Sequence, residues 1–341
     1  MKTKVTIFIF LIFSLISCKQ EKSEALKFPI LTGDYLGQPL PGEEPTLFAP
    51  GIISTGMYER DFTITSDGDE IYYALASGQV TTIMVTKRVN NVWTEPEIAS
   101  FADEVDYLYF EPYLHPDNSR IFFLSNRPPE GKGPLPGWGH QNIWVADRQN
   151  DGSWSEPYNL GEPICTDDNE YFPSLTNDGT LYFTRSKKGT REAEIFYSKL
   201  KDGIYLEPEK LPEIINGNGT LYNAAISPDE SYLIACVNGR QDDPTPGTAD
   251  YCVYFRNEDN QWSQSIDING LLNISGIGAV SPSITPDGSY FFFAAIINLR
   301  DSIFSHNRMT FSTIEKLYNS PQNGRSDIYW VSTNIIKELG K

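Results

Sequence analysis

Short apolar runs separated by turn-forming residues recur along most of this chain. In residues 111–157 the runs RIFFLS and NIWVADR follow one another, with Pro, Asp, Asn and Gly clustered around them. Runs of about four to eight residues that are rich in aromatic and β-branched side chains predict β-strands when turn residues bound them. This segment predicts four short strands, the last of which begins at Trp154.

The same unit occurs five times. The turn between its first two strands always contains an aspartate, and these are Asp67, Asp117, Asp178, Asp229 and Asp287. The fourth strands of the first four copies begin at Trp93, Trp154, Tyr205 and Trp262. The spacing from each aromatic residue to the next aspartate hardly varies, so the variable part is the loop between the second and third strands. Repeats of about 50 to 60 residues are typical of propellers and related arrays.

The two ends of the chain predict how the repeats close. The segment PTLFAPGIIST, which begins at Pro45, stands where a fourth strand belongs, but no first three strands precede it. The fifth copy stops soon after SDIYWVS and lacks its fourth strand. We therefore predict an all-β fold, a five-bladed β-propeller of four-stranded antiparallel blades, closed by an N-terminal strand that completes the last blade. Such closure leaves no long exposed strand edge.

The N-terminal segment has the layout of a bacterial signal peptide. Lys2 and Lys4 precede the apolar run VTIFIFLIFSLIS, which is short for a membrane span. The sequence Leu15-Ile16-Ser17-Cys18 resembles a lipobox, which implies lipid attachment at Cys18; an ordinary signal peptide with an incidental cysteine is the alternative. We predict a signal peptide at 1–17, a lipidated tether at 18–34 and the propeller at 35–341. The expected location is the outer membrane, on its periplasmic or outer side.

Composition narrows the classes of partner. The chain of 341 residues has a formal net charge of −18, whereas a nucleic-acid partner requires a basic surface. No nucleotide-binding glycine motif, no G-x-S-x-G elbow and no metal-ligand spacing of the three histidines occurs. We therefore predict no cofactor and no metal site. Of Cys165, Cys236 and Cys252, the last two lie on adjacent predicted strands, so either a bridge or two buried free thiols is open.

Several motifs together resemble a known repeat family. The turns TSDG, SPDE and TPDG, followed by D-I-Y/W and W-x-E-P, resemble the WD-repeat-like propeller repeat of TolB-type proteins. The entry PGEEPTLFAPGIIST and the ending DIYWV resemble bacterial lipoproteins built from that repeat, over about residues 35–336. The resemblance implies the fold, while function has to come from the site. Copy four departs from the pattern, with QWSQSI in place of W-x-E-P.

Strand direction places the candidate site. The innermost strands begin on the side of the propeller that also carries the loops between second and third strands; we call this side face one and the opposite side face two. The long loops at 127–141, 238–249 and 297–326 all belong to face one. Loops of this length are usually functional or disordered. We predict a ligand site there, with Trp138 and Arg127 as contacts, for a protein or carbohydrate ligand.

Four carboxylates are predicted at the face-one end of the innermost strands. Alignment on the turn aspartates puts Asp61 and Glu111 at one level, and Glu59 and Glu170 one step earlier. If they converge at the channel, they could bind a cation or a sugar, or act as an acid/base pair drawn from Glu111, Asp61 and Glu170. The alternative is that they cap strand-end amides or pair with arginines such as Arg60.

Two functions therefore compete. The first is a membrane-anchored, non-catalytic lipoprotein whose propeller binds a protein or a glycan. The second is a glycan-active hydrolase or lyase that uses the carboxylates at the channel mouth, by analogy with five-bladed glycosidases, and that analogy operates at the level of the fold alone.

Overall fold

Five four-stranded antiparallel sheets form the blades of a β-propeller within the unit Leu31–Lys341, which confirms the predicted fold class. The computed structural model describes residues 28–190, 192–240, 247–274, 277–298 and 309–341. The predicted signal peptide and Cys18 lie outside these residues. Within them, no helix is both long and apolar enough to cross a membrane.

The first three blades follow the chain in order. Blade 1 contains Tyr58–Ile64, Glu70–Ser77, Val80–Val89, Val92–Trp93 and Glu97–Ile98. Blade 2 contains Tyr109–Leu114, Arg120–Ser125, Asn142–Asp147 and Tyr158–Asn159. Blade 3 contains Asn169–Leu175, Leu181–Ser186, Ala193–Ser198 and Glu209–Lys210, with a side hairpin formed by Leu200–Lys201 and Ile204–Tyr205. In each blade the first strand is innermost and the outermost strand is only two residues long.

The last two blades complete the ring. Blade 4 contains Thr220–Ile226, Tyr232–Asn238, Ala249–Phe255 and Ile266–Asp267. Blade 5 contains Ser283–Ile284, Tyr290–Asn298 and Asn323–Ser332, and its outer strand is Thr46–Leu47. The α-helices of the described residues are Glu213–Asn216, Phe311–Tyr318 and Asn334–Lys337, and the short 3-10 helices are Asp34–Gly37 and Glu338–Gly340.

The N-terminal strand closes the ring as predicted. Thr46 pairs with Trp330, and the backbone N–H of Phe48 donates to the carbonyl of Ile328 at 2.8 Å. The Phe48 ring is fully buried and packs edge-on against Phe62 and Trp330, with ring centroids 5.3 and 5.1 Å apart. Because this ring contacts blades 1 and 5 together, it joins the first and last repeats through the core.

The turn aspartates hold the turns on face two. The Asp67 carboxylate accepts hydrogen bonds from the Thr65 hydroxyl at 2.6 Å and from the Asp69 N–H at 3.1 Å. Asp178 accepts the Thr176 hydroxyl in the same way, and this hydrogen bond holds the pKa of Asp178 below its usual value. Side chains of this type stabilise tight turns by bonding to the backbone two residues on. The recurrent aspartates are therefore parts of the scaffold.

Truncating the closing aromatic residue tests its role in the ring. We expect Phe48→Ala to lower the free energy of unfolding by about 3–5 kcal/mol, because it leaves a cavity between the first and last blades. Urea denaturation followed by fluorescence measures this change. Leu40→Ala, at a leucine that is 59% exposed in the same segment, is the matched control and should change stability by less than about 0.5 kcal/mol. Equal effects of both changes would contradict the closing role of Phe48.

Candidate functional site

The innermost strands of blades 1 to 4 each contain a β-bulge. The bulged residues adopt left-handed backbone angles, with φ values of 60°, 58°, 55° and 49° at Asp61, Glu111, Phe172 and Asn223. A bulge inserts one unpaired residue and breaks the alternation of side chains along the strand. The residues just before the bulges, with their counterpart in blade 5, are half-buried, and these are Arg60, Phe110, Tyr171, Tyr222 and Val280. We call this set the channel mouth.

Asp61 and Glu111 each bond to the neighbouring blade. The Asp61 carboxylate accepts the backbone N–H of Glu111 at 3.1 Å, and the Glu111 carboxylate accepts the backbone N–H of Phe172 at 2.8 Å. A bulge leaves such N–H groups without a ladder partner, and a buried N–H without a partner is costly. Each carboxylate therefore satisfies the bulge of the next blade.

Neutral side chains continue this pattern around the channel. The Thr184 hydroxyl accepts the backbone N–H of Asn223 at 3.0 Å, and the Asn223 side chain donates to the carbonyl of Val280. The Ser281 hydroxyl donates back to Asp61 at 2.5 Å. These contacts link successive blades, and we call them the inter-blade ring.

Arg60 lies across the two carboxylates. Its Nε donates to Asp61 at 2.8 Å, and its terminal nitrogen lies 3.4 Å from Glu111. The guanidinium also lies over the ring of Phe110, 5.0 Å from its centroid, and Trp138 stacks on that ring at 5.7 Å. Cation–π and stacking contacts of this geometry add to the ion pairs. Trp138, which the sequence analysis assigned to a long loop of face one, thus packs against the channel mouth.

Little space remains beside the two carboxylates. The cavity that Asp61 and Glu111 share with Phe172 and Ser283 measures about 10 Å³, which is room for about one water molecule. Burial and the negative charge of Asp61 together raise the pKa of Glu111 to about 8, although Arg60 opposes this shift. In this conformation a sugar ring does not fit between the carboxylates.

Glu59 and Glu170 point away from the channel. Glu170 is fully buried and accepts the Thr166 hydroxyl at 2.6 Å and Nε of Arg185 at 3.0 Å. Glu59 is also fully buried and accepts the Thr55 hydroxyl, while its second oxygen has no hydrogen bond to any residue that the structure describes. The structure therefore brings together Asp61 and Glu111 alone among the four predicted acids.

Glu59 faces a second buried acid that the sequence did not single out. Burial raises the pKa of Glu59 to about 7, and the charge of Asp327 on blade 5 adds to the shift. Burial raises the pKa of Asp327 to about 6, although one of its oxygens accepts the Gln322 N–H at 2.7 Å. Two acids with raised pKa values across the junction of blades 5 and 1 make that junction sensitive to pH.

Arg127 lies outside the channel mouth. Its guanidinium stacks between Tyr107 and Trp144, at 4.8 and 5.5 Å from the ring centroids, and pairs with Glu104. These contacts anchor the start of the loop at 127–141. Trp138 and Arg127 therefore hold opposite ends of that loop and do not form one contact surface.

A large open space on face one lies between this loop and blade 3. A cavity of about 770 Å³ is bordered by Glu130, Lys132, Asp167 and Arg185, among other polar residues. A second cavity of about 350 Å³ shares Asp168 and Arg185 with the first and extends along blade 3. We call the two cavities together the face-one groove. Arg185, held by Glu170, forms the wall between them.

The described residues contain no group of three or more His, Cys, Asp or Glu side chains that is placed to hold a metal ion. Cys165, Cys236 and Cys252 are buried free thiols, so the bridge between Cys236 and Cys252 that the sequence left open is not formed. Cys236 and Cys252 lie on paired strands but in register with Tyr251 and Ala235 respectively.

Alignment of the five copies on their turn aspartates did not identify the channel-mouth aromatic residues Phe110, Tyr171 and Tyr222. It assumed strict alternation, under which Glu59 and Asp61 share one side of a strand. The signal for the bulges was present in Pro112 and Pro173, because a proline inside an innermost strand cannot donate to the ladder and marks a bulge.

No protein-family model and no curated protein sequence matches this chain. Among solved structures, a putative TolB from Agrobacterium tumefaciens gives a TM-score of 0.47 at 13% identity, covering 81% of this chain and 90% of that chain. TolB from Acinetobacter baumannii gives 0.43 at 12% identity, covering 80% of this chain and 54% of that chain, so this chain spans about half of its length. A GH62 hydrolase in complex with xylotriose gives a TM-score of 0.44 at 10% identity, covering 82% of this chain and 92% of that chain. Likenesses of this size carry no information on function.

The buried acids predict how stability depends on pH. A carboxyl group whose pKa is raised on folding contributes stability fully below its unfolded value, and this contribution is lost as pH rises through the folded value. From the values for Asp327, Glu59 and Glu111, we expect the melting temperature to fall between about pH 5 and about pH 8. The pKa of Asp178 is lowered on folding, so its contribution to stability is lost as the pH falls, and only at more acidic pH.

Glu59→Gln should remove part of that fall. The amide keeps the acceptor for Thr55 and carries no charge, so the variant should be more stable than the wild type at about pH 8 by on the order of 1–3 kcal/mol. At about pH 5 the two proteins should be nearly equal. Glu43→Gln, at an exposed position, is the control and should leave the pH profile unchanged. A profile for Glu59→Gln that overlays the wild type would disprove this assignment.

Proposed function

We propose that this protein is a lipid-anchored, non-catalytic binding module of the bacterial cell envelope, and that the face-one groove binds a protein ligand. The absence of catalysis in this proposal is supported by the contacts of the two central carboxylates. Asp61 and Glu111 bond to bulge amides and to Arg60, beside about 10 Å³ of free space. A general acid or nucleophile has to reach its substrate, and these groups serve the scaffold.

The chemistry of the groove favours a polypeptide. The larger cavity is lined by both signs of charge, with Lys132 and Arg185 on one hand and Glu130, Asp167 and Asp168 on the other. None of its lining residues is aromatic, whereas sugar rings bind best against aromatic faces. A mixed-charge surface of this size suits the alternating polar and charged groups of a protein ligand.

The anchor in this proposal rests on the lipobox resemblance at Leu15–Cys18 and on the polar tether that follows it. A tether of polar and charged residues would hold the propeller near the membrane surface, where it can meet a partner. Periplasmic and outer faces of the outer membrane are both compatible with this arrangement.

Crosslinking in cells tests the groove as a protein site. A photo-crosslinking amino acid is placed at Glu130, which is exposed at the groove, or at Ile204, which is 68% exposed on the outer hairpin of blade 3. We expect a discrete polypeptide adduct from position 130 and not from 204. Identification of the adduct by mass spectrometry, and its loss in Asp168→Lys, would support the groove. Equal adducts from both positions, or adducts with glycan alone, would count against it.

The enzymatic alternative makes a different prediction for Glu111→Gln. Under the proposal, neither the wild type nor this variant turns over glycans. The variant keeps its crosslinked partner, because Glu111 accepts a backbone hydrogen bond from the next blade. Hydrolysis and lyase assays on a panel of cell-wall and plant glycans, with melting temperature as a folding control, measure this. A turnover that falls at least about a hundredfold in Glu111→Gln, with unchanged melting, would make the protein an enzyme.

Cys18→Ala tests the anchor. We expect the variant to leave the membrane fraction and to lose metabolic labelling with a fatty-acid analogue. The reason is that the predicted tether contains no second cysteine to which a lipid could be attached. Fractionation with and without detergent measures the distribution. Replacement of Cys165, a buried thiol within the propeller, is the control and should leave the distribution unchanged. Membrane retention of a cleaved, unlabelled Cys18→Ala protein would refute lipid anchoring.

A further inference from the structure

Blade 4 carries a cavity at its outer edge, on face two and away from the face-one groove. It measures about 480 Å³ and lies on the hairpin between the third and fourth strands, at residues 255–266. Leu339 and Gly340 border it from the other side. Small-molecule sites commonly measure about 300–1,000 Å³, so the size suits a ligand of one or two sugar rings.

The hairpin is the place where copy four departs from the repeat. In blades 1 to 3 the aromatic residue that precedes the outermost strand is followed by Thr94-Glu95-Pro96, Ser155-Glu156-Pro157 and Leu206-Glu207-Pro208. In blade 4, Trp262 is followed by Ser263-Gln264-Ser265. An amide thus replaces a carboxylate, and a serine replaces a proline. The Ser265 hydroxyl accepts the Asn218 side chain at 2.8 Å, so the new residue is held in place.

Three side-chain amides line this cavity with unused hydrogen-bonding groups. Gln264 makes no side-chain hydrogen bond within the described chain, and Gln261 has only a long contact of 3.5 Å to the carbonyl of Asp259. Asn257 uses its oxygen to accept the Gln261 N–H at 2.8 Å and keeps its NH₂ group. An amide presents a donor and an acceptor in one plane, which matches two neighbouring hydroxyl groups.

The apolar part of the lining comes from Phe255, Trp262, Ile266 and Leu339. Phe255 is half-buried, so part of its ring faces the cavity. The guanidinium of Arg256 lies 5.4 Å from the ring centroid of Trp262 and pairs with Glu230 at 2.5 Å. Aromatic and aliphatic walls with a few polar groups fix the orientation of a small ligand.

Among the residues that the structure describes, no acidic side chain lines this cavity, although the whole chain has a net charge of −18. The single charged lining residue, Arg256, is already neutralised by Glu230. A lining of amides, hydroxyls and aromatic rings without net charge fits a neutral ligand rich in hydroxyl groups better than it fits a basic peptide.

We propose that the hairpin of blade 4 is a binding site for a neutral carbohydrate, in which Asn257, Gln261 and Gln264 bond to hydroxyl groups and Phe255 and Trp262 support the ring. This site is separate from the face-one groove and does not depend on the function proposed for that groove. The site lies where copy four has Gln264-Ser265 in place of the Glu-Pro of the first three copies.

Titration of the full mature chain tests this proposal. The probes are neutral gluco-, manno-, galacto- and N-acetylglucosamine disaccharides, with digalacturonic acid as the charged comparison. Binding is followed by NMR, through ligand saturation transfer and through the indole N–H signal of Trp262. We expect at least one neutral disaccharide to bind and to shift that signal, and digalacturonic acid to bind at least tenfold more weakly.

Gln264→Glu restores the residue of the other copies and should weaken binding at least tenfold. Gln264 is exposed, so the variant should fold as the wild type does. Glu207→Gln at the equivalent position of blade 3 is the matched control and should leave binding unchanged. The proposal is overturned if no neutral disaccharide binds, if Gln264→Glu binds as tightly as the wild type, or if Glu207→Gln weakens binding equally.

Discussion

The propeller depends on hydrogen bonds that cross from one blade to the next at its centre. Bulges in the innermost strands leave backbone N–H groups unpaired, and the carboxylates of Asp61 and Glu111 accept them from the neighbouring blade. The guanidinium of Arg60 contacts both carboxyl groups. The arrangement keeps buried charges paired, because an unpaired buried charge costs several kcal/mol. It also explains why acids stand at the channel without an open site beside them.

Sequence alone was sufficient for the fold because the fold repeats. Turn aspartates, leading aromatics and the unpaired segment at Pro45 predict five blades and their closure, and pairing of Thr46 with Trp330 confirms this. The candidate site was predicted in part. Trp138, Asp61 and Glu111 lie at the channel, whereas Glu59, Glu170 and Arg127 have other partners. A bulge shifts the alternation by one residue, so residues assigned to one side of a strand end on the other.

The two open cavities differ in the way the repeat produces them. The face-one groove exists because the loop at 127–141 is long, and such loops lie outside the packing of the blade. The blade 4 cavity lies where copy four departs from the repeat, directly before its short outer strand. Long loops in the sequence indicate the face-one groove only. The blade 4 cavity is indicated by comparison among the copies of the repeat. Internal repeats thus provide a reference for unusual residues when no related sequence matches.

The closing strand also has a consequence for the order of assembly. Thr46 and Leu47 cannot pair until residues 329 and 330 have been synthesised, so blade 5 is completed last when the chain is made from its N-terminus. Contacts that are distant in sequence slow folding, and an unpaired strand edge is open to other chains meanwhile. The closure of the ring therefore leaves strand edges of the nascent chain unpaired until its final strands have been made.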